Sequence, residues 1–468
     1  MSMMKARIAI FVSAVIVVFC FFQFWYPYHF FYHEQNQIFL WEWAYVSGFF
    51  QKAGGLASLI GEFLTQFYYY LYAGATILTL CIALAGLLMY TTLTNLKVNA
   101  WMALAVGLCV MAFLTACHFS VSYKLSSTVS IVGWLLFLWV ASTVRAKGLR
   151  LVCMLVVLVP SYLFFGTPEI KRLQAPDFVL EKNFAVDNEY RFGNYDKVLD
   201  IVRTSDGWTD QMLFFYNLIY AQRGQLPDHL LDFSSNYLGT FEKIGPETPR
   251  LTINNMNELY WALGDMTFTE RAAMMTNVFA PENRNVRMMK RLAECNIVSG
   301  DSIAAQKYLR ILGKTFVYSG WAEATQQHLA QGQLPPYLAQ KTPFVNHRDT
   351  ITISDNAHFL MMQLLDHNPD NMIALDYILC SDLLLKDITN FKRDYDRYCS
   401  DKPRLKPLYQ EALCIWLAGS DASQEEWQSY IKMGDVMKRF VDYNNQRGNP
   451  RFKGTYWYYF DKIKAPEI

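Results

Sequence analysis

The sequence predicts an all-α protein: a five-helix transmembrane region followed by a soluble α-helical repeat domain. Three observations carry that expectation. The first 170 residues hold only four acidic groups, Glu34, Glu42, Glu62 and Glu169, and the first aspartate is Asp177. Five apolar segments in that stretch are long enough to cross a hydrocarbon core, which takes about 20 helical residues. Beyond residue 170 the apolar residues recur at helical spacing and the pattern is interrupted at glycines.

Whole-chain averages conceal the division. The 468 residues are 53% hydrophobic with a net charge of +1, values that would suit a large soluble protein if they were uniform. They are not uniform, because residues 1–170 carry eight basic groups against four acidic ones while the rest carries 34 against 37. Lipid is the expected solvent of the first part and water that of the second.

The expected spans are about 8–26, 69–90, 100–117, 129–144 and 151–165. The last two are short, and the last contains Pro160, which lacks the amide hydrogen a helix interior needs, so kinked, tilted and partly interfacial forms are all open for them. Lys5 and Arg7 ahead of the first run have the look of a signal peptide. The run is too long for one, however, and ends in Gln23-Phe24-Trp25-Tyr26-Pro27 instead of small residues, so a retained anchor with an interfacial aromatic belt is expected.

Basic residues set the expected orientation. With Lys5 and Arg7 cytoplasmic, five crossings put Lys97, Arg145, Lys147 and Arg150 on the same side and leave Lys52 and Lys124 opposite. Lys171 and Arg172, just past the last span, narrow that margin. The segment from Pro27 to Tyr68, the loop around His118 and everything after about Gly166 then lie outside the cytoplasm. The expected location is a bacterial inner membrane, with the N-terminus cytoplasmic and the carboxyl-terminal domain periplasmic.

Between the first two spans, Phe39, Leu40, Trp43, Val46, Phe49 and Phe50 recur at helical spacing, predicting an amphipathic surface helix over 37–50. Gly54 and Gly55 break it, and residues 56–66 form a second interfacial helix.

From Gln174 onward four motifs end a helix on glycine and start another within a few residues. They centre on Gly193, Gly224, Gly264 and Gly300, and the best copy runs from Arg291 to Leu312. Helical stretches continue through 371–398 and 408–417, with a β-prone excursion at 349–354 between. Aromatics such as Trp208, Tyr216, Tyr220, Tyr260 and Trp261 either line a binding surface or, more commonly for such spacing, fill the core. Cys295, Cys380, Cys399 and Cys414 lie in the exported part, where a Cys380–Cys399 disulfide and free buried thiols are both open. The other five cysteines sit in or at the ends of spans as small hydrophobes.

The glycine spacing brackets the roughly 34-residue period of tetratricopeptide repeats, and residues 183–315 resemble that family, with weaker echoes to about 440. This implies a scaffold that holds a protein or peptide partner. A first crossing, an acid just beyond it and then surface helices resemble the start of the polytopic, lipid-linked-sugar glycosyltransferases of the GT-C type. That resemblance implies Glu34 as catalytic base or metal ligand, with His33, Gln37, Glu62 and His118 as its company, a divalent metal as cofactor and a lipid-linked sugar as substrate. Departures stand against it: five spans where that superfamily usually has seven or more, no Asp-x-Asp in this loop as some members have, and no arginine cluster on the same face to grip a pyrophosphate. As a whole the sequence is similar to an uncharacterised family of multi-spanning inner-membrane proteins from Bacteroidota, a likeness that implies architecture and no activity.

No P-loop, Gly-x-Ser-x-Gly, His-Glu-x-x-His or dinucleotide fingerprint is present. His229, His328, His347, His358 and His367 lack ligand spacing along the chain. Charge in the tail is balanced, which gives no footprint for nucleic acid. The expectation is a membrane-embedded scaffold or binding module without a cofactor, in contact with the bilayer and an envelope partner; the alternative is a glycosyltransferase working through Glu34.

Overall fold

A bilayer core offers no water to backbone amides, so an apolar chain crossing it must satisfy them within each segment. The computed structural model describes residues 2–170, 173–233, 236–239, 247–280, 283–345 and 356–465, and among these there is helix and no strand. Among the described residues five helices are long and apolar enough to cross a membrane: Met3–Trp25, Ala73–Asn95, Ala100–Cys117, Leu125–Ser142 and Lys147–Phe165. The five-span, all-α expectation holds. The fourth span runs from four residues earlier than expected, because Leu125–Thr128 continue the helix without a charge.

In chain order the first part comprises α1 (Ser2–Cys20), α2 (Tyr28–Gln35), α3 (Trp43–Phe49), α4 (Gly55–Thr65), α5 (Ala73–Asn95), α6 (Ala100–Cys117), α7 (Leu125–Ser142), α8 (Lys147–Val156) and α9 (Leu158–Phe165). A π-helical turn, Phe21–Trp25, extends α1 to the end of the first span. Pro160 does mark an irregularity in the last span: its missing N–H leaves the Val156 carbonyl without its helical donor, and Val157 separates α8 from α9.

Packing divides the chain differently from composition. One compact unit is Met1–Asn188 with Ala280–Ala293 and Ile303–Gln333; the other is Glu189–Phe279 with Glu294–Ser302 and Leu334–Ile468. Two segments remote in sequence therefore belong with the spans and their connecting loop.

In the first unit α5 packs against α6 and α7, α7 against α4 and α9, and α1 against α5 and α6. Leu78, Ile82, Ala85, Met111 and Leu114 are buried between them. Gly86 and Gly107 set the spacing of α5 and α6. A methyl on Gly107 would lie 2.8 Å from the Gly86 carbonyl oxygen, so only small residues allow that approach.

The expected helix over 37–50 is shorter than predicted. Residues 37–42 are not helical and only Trp43–Phe49 is. The segment is pulled out straight by tertiary bonds: Gln37 Nε2 donates to the Glu62 carbonyl at 2.9 Å and the Trp41 amide donates to the Lys314 carbonyl at 2.7 Å. Ile38 and Phe39 are buried while Trp41, Trp43 and Phe50 are exposed. Gly54 breaks the chain as expected, with φ +81°, and α4 follows it.

In the second unit the four motif glycines all adopt left-handed backbone, with φ between +67° and +83°. Asn194 donates to the Glu189 carbonyl, Gln225 to Tyr220 and Asp265 to Tyr260, which is the bond that closes a helix with glycine at its C′ position. Arg250–Leu263 and Met266–Phe279 then pack side by side, as do Ala357–His367, Met372–Leu384 and Ile388–Cys399 in succession. Met372–Leu384 is buried on every face from Ala374 onward. Tyr216 and Tyr220 are core residues, Tyr260 and Trp261 are half-buried, and Trp208 is exposed. Cys380 and Cys399 are free, buried thiols. The β-prone stretch 349–354 lies outside the described residues.

Candidate functional site

Glu34 sits in the last turn of α2, and its helix carries it inward. It is 2% exposed, and its Oε1 accepts a 2.7 Å hydrogen bond from the Tyr318 hydroxyl. The recess beside it, lined by Gln37, Ile38, Phe39, Gln66, Val286, Thr315, Val317 and Tyr318, measures about 10 Å³. That volume holds about one water. Gln66 Oε1 in the same wall is buried without a hydrogen-bond partner.

The neighbours predicted for Glu34 separate into two groups. Gln37 lines the recess with it, and Glu62 is joined to Gln37 through its backbone carbonyl. Glu62 Oε2 accepts from the Tyr45 hydroxyl at 2.6 Å, and Arg284 reaches both: its Nη1 is 3.7 Å from Glu62 Oε2 and donates to Tyr45 at 3.0 Å.

His33 and His118 belong to a second group with His29. His118 Nε2 lies 2.8 Å from Thr128 Oγ1, and the His29 and His33 rings are 6.1 Å apart. Burial, then the Lys124 charge, lowers His33 to about 4; burial, then His33, lowers His118 to about 3. Burial likewise holds His29 well below the ordinary imidazole value. All three rings are neutral at pH 7, and both ring nitrogens of His29 are buried without a hydrogen-bond partner. Beneath them Glu181 accepts from the backbone amides of Tyr28 and His29, yet its burial outweighs those bonds and raises it to about 8.

Arginines do reach this loop, although the sequence of the loop shows none. Arg287 Nη1 donates to Gln35 Oε1 at 2.9 Å and to both Asp187 oxygens at 2.9 and 2.8 Å, with both charged side chains buried. Asn285 bonds Asn36 at 3.1 Å, and Lys314 pairs with Glu42 at 2.8 Å. Each cation is held by a carboxylate of the same unit. A general base must come within hydrogen-bond reach of a substrate hydroxyl, and in this structure the Glu34 carboxylate is buried against Tyr318 beside a recess of about 10 Å³.

A different cluster lies in the second unit, where the sequence reading treats His358 as isolated. His358 on Ala357–His367 meets Asp382 on Met372–Leu384 and Asp394 on Ile388–Cys399. Its Nδ1 is 3.4 Å from Asp382 Oδ1 and its Nε2 is 2.8 Å from Asp394 Oδ2. Hydrogen bonds to Asp382 and Asp394 raise His358 to about 9, while burial raises Asp382 to about 6. Burial alone would also raise Asp394, but the bonds from His358 and Arg393 bring it below the usual value. The three residues are spaced 24 and 12 apart in sequence, so no local motif signals them.

No curated protein and no solved structure matches the chain significantly. A family model does match, over residues 3–171 and again over residues 167–463. Together these matches cover both units, and the chain belongs to that family, a family of unknown function (DUF6057).

Proposed function

We propose that the protein is an envelope scaffold or binding module: a membrane anchor of five spans that carries a periplasmic helical domain for a protein or peptide partner. The observation behind this is the state of Glu34. The one carboxylate that the glycosyltransferase likeness requires to be open is 2% exposed and bonded to Tyr318. The loop acts as a clamp on segments 280–293 and 303–333, with Glu34, Gln35, Asn36, Glu42 and Tyr45 all bonded to them.

The repeated helix–glycine–helix turns favour the same reading. Paired helices closed by left-handed glycine form a stacked array, and such arrays present extended surfaces for partners without supplying chemistry.

The test is genetic and chemical together. In the native host, E34Q is expected to leave lipid-linked sugars and envelope glycans at wild-type levels, while removal of residues 356–465 reproduces the defect of full deletion. A folded E34Q protein that lowers lipid-linked sugar turnover returns the glycosyltransferase reading. The truncation must spare segments 280–293 and 303–333, since the first unit contains them.

A further inference from the structure

We propose that His358, Asp382 and Asp394 form a binding site for one divalent transition-metal ion. This stands apart from the scaffold reading and involves none of the residues of the first loop. The three side chains come from three successive helices, and one donor atom from each lies within 4.8 Å of the others. Asp394 is fully buried and Asp382 is 4% exposed.

Two further observations turn this cluster into a site. Asp382 Oδ2 is buried with no hydrogen-bond partner, an arrangement that carries a desolvation penalty, larger for a charged group than for a neutral one. A cation against that carboxylate removes the deficit. Next to it is a recess of about 340 Å³, lined by Asp382 and His358 together with Asn356, Ser381, Asp387 and Asn390. It has ample room for the waters that complete a coordination sphere.

The donor set selects the ion. One imidazole nitrogen with two carboxylates suits manganese, iron, cobalt or zinc, whereas calcium and magnesium prefer oxygen alone and copper(I) prefers sulfur. Arg393 fits an outer role. Its Nε donates to Asp394 Oδ1 at 2.9 Å, leaving Oδ2 for the ion, as partners of ligating carboxylates commonly do. Its Nη2 approaches Asp394 Oδ2 at 3.3 Å and His358 Nε2 at 2.9 Å. On a side chain 54% exposed, that nitrogen withdraws to solvent when the ion enters.

The competing account is an imidazolium that bridges two carboxylates as a purely structural ion pair, and the experiment separates the two. Full-length protein without a histidine tag, in detergent and stripped with chelator, is titrated with Mn²⁺ and Zn²⁺ by calorimetry. One ion per chain is expected, with affinity falling roughly tenfold or more in D382N and in H358Q, while the exposed-acid control D366N binds as wild type. Should the variants fail to fold, pulsed electron paramagnetic resonance of Mn²⁺ bound to the wild type supplies the second readout, where coupling to an imidazole nitrogen is expected. The proposal is overturned if the stripped wild type takes up neither ion. It is equally overturned if folded D382N and H358Q bind as tightly as wild type, or if bound Mn²⁺ shows no nitrogen coupling.

Discussion

At residue scale the first unit depends on a few buried polar contacts whose loss has different costs. Tyr318→Phe removes the 2.7 Å bond to Glu34 and keeps the ring in place. The expected loss is about 1–3 kcal/mol, read as a lower unfolding midpoint of the full chain in detergent. Arg287→Met is more damaging, because it leaves Asp187 and Gln35 buried without their donor. Breaking one side of such a pair costs roughly 3–5 kcal/mol, whereas replacing both partners with apolar residues is often near neutral. The double variant with Asp187→Leu is therefore expected to recover much of the loss, and a cycle of the four proteins measures the coupling.

Glu181 gives the same unit a pH dependence. Its folded value lies above the unfolded one because burial penalises the carboxylate. The folded chain then holds the proton more tightly, so this contribution is full below the unfolded value of 4.5 and is lost as pH rises through about 8. Thermal midpoints are expected to fall between pH 5 and pH 9, and less steeply in Glu181→Gln. An unchanged slope in that variant assigns the decline to other groups.

At element scale glycine does two distinct jobs. Gly193 ends a helix in left-handed backbone with open space around it, so an added methyl meets nothing. Gly54 has the same handedness, but a methyl there would come within 3.0 Å of the Gly166 Cα, where the loop touches the end of α9. Gly193→Ala should cost only the left-handed backbone term, about 1–2 kcal/mol. Gly54→Ala adds a clash with backbone that cannot swing away, and it should lower the unfolding midpoint further. Comparing the two midpoints checks it.

At the scale of the whole molecule, the proposed orientation makes a prediction of its own. Single cysteines placed at Lys147 and at Glu425, in a background lacking exposed Cys109, should differ in whole cells. The first is expected to resist a membrane-impermeant thiol reagent and the second to react. Reaction at Lys147 alone would invert the topology.

Much of the architecture was legible because its causes are local. Apolar runs of membrane length, a proline in the last span and glycines closing helices act within a few residues of themselves, and each appears where the sequence put it. The loop helix came out too long because its first six residues obey distant partners instead of their own periodicity. The candidate sites were legible only in part. Glu34 stands out as an acid in an acid-poor region, but its Tyr318 partner is 284 residues away, and Arg284 and Arg287 reach the loop from 239 and 252 residues away. His358 looked solitary for the same reason.

The sequence by itself determined which part of the chain suits lipid, how many helices span it and where helices stop, since hydropathy and backbone preference are properties of short segments. Only the tertiary structure decided that Glu34 is buried against Tyr318 and that His358 stands between two carboxylates. Burial and charge pairing belong to groups that meet in space, and a one-dimensional spacing does not encode them.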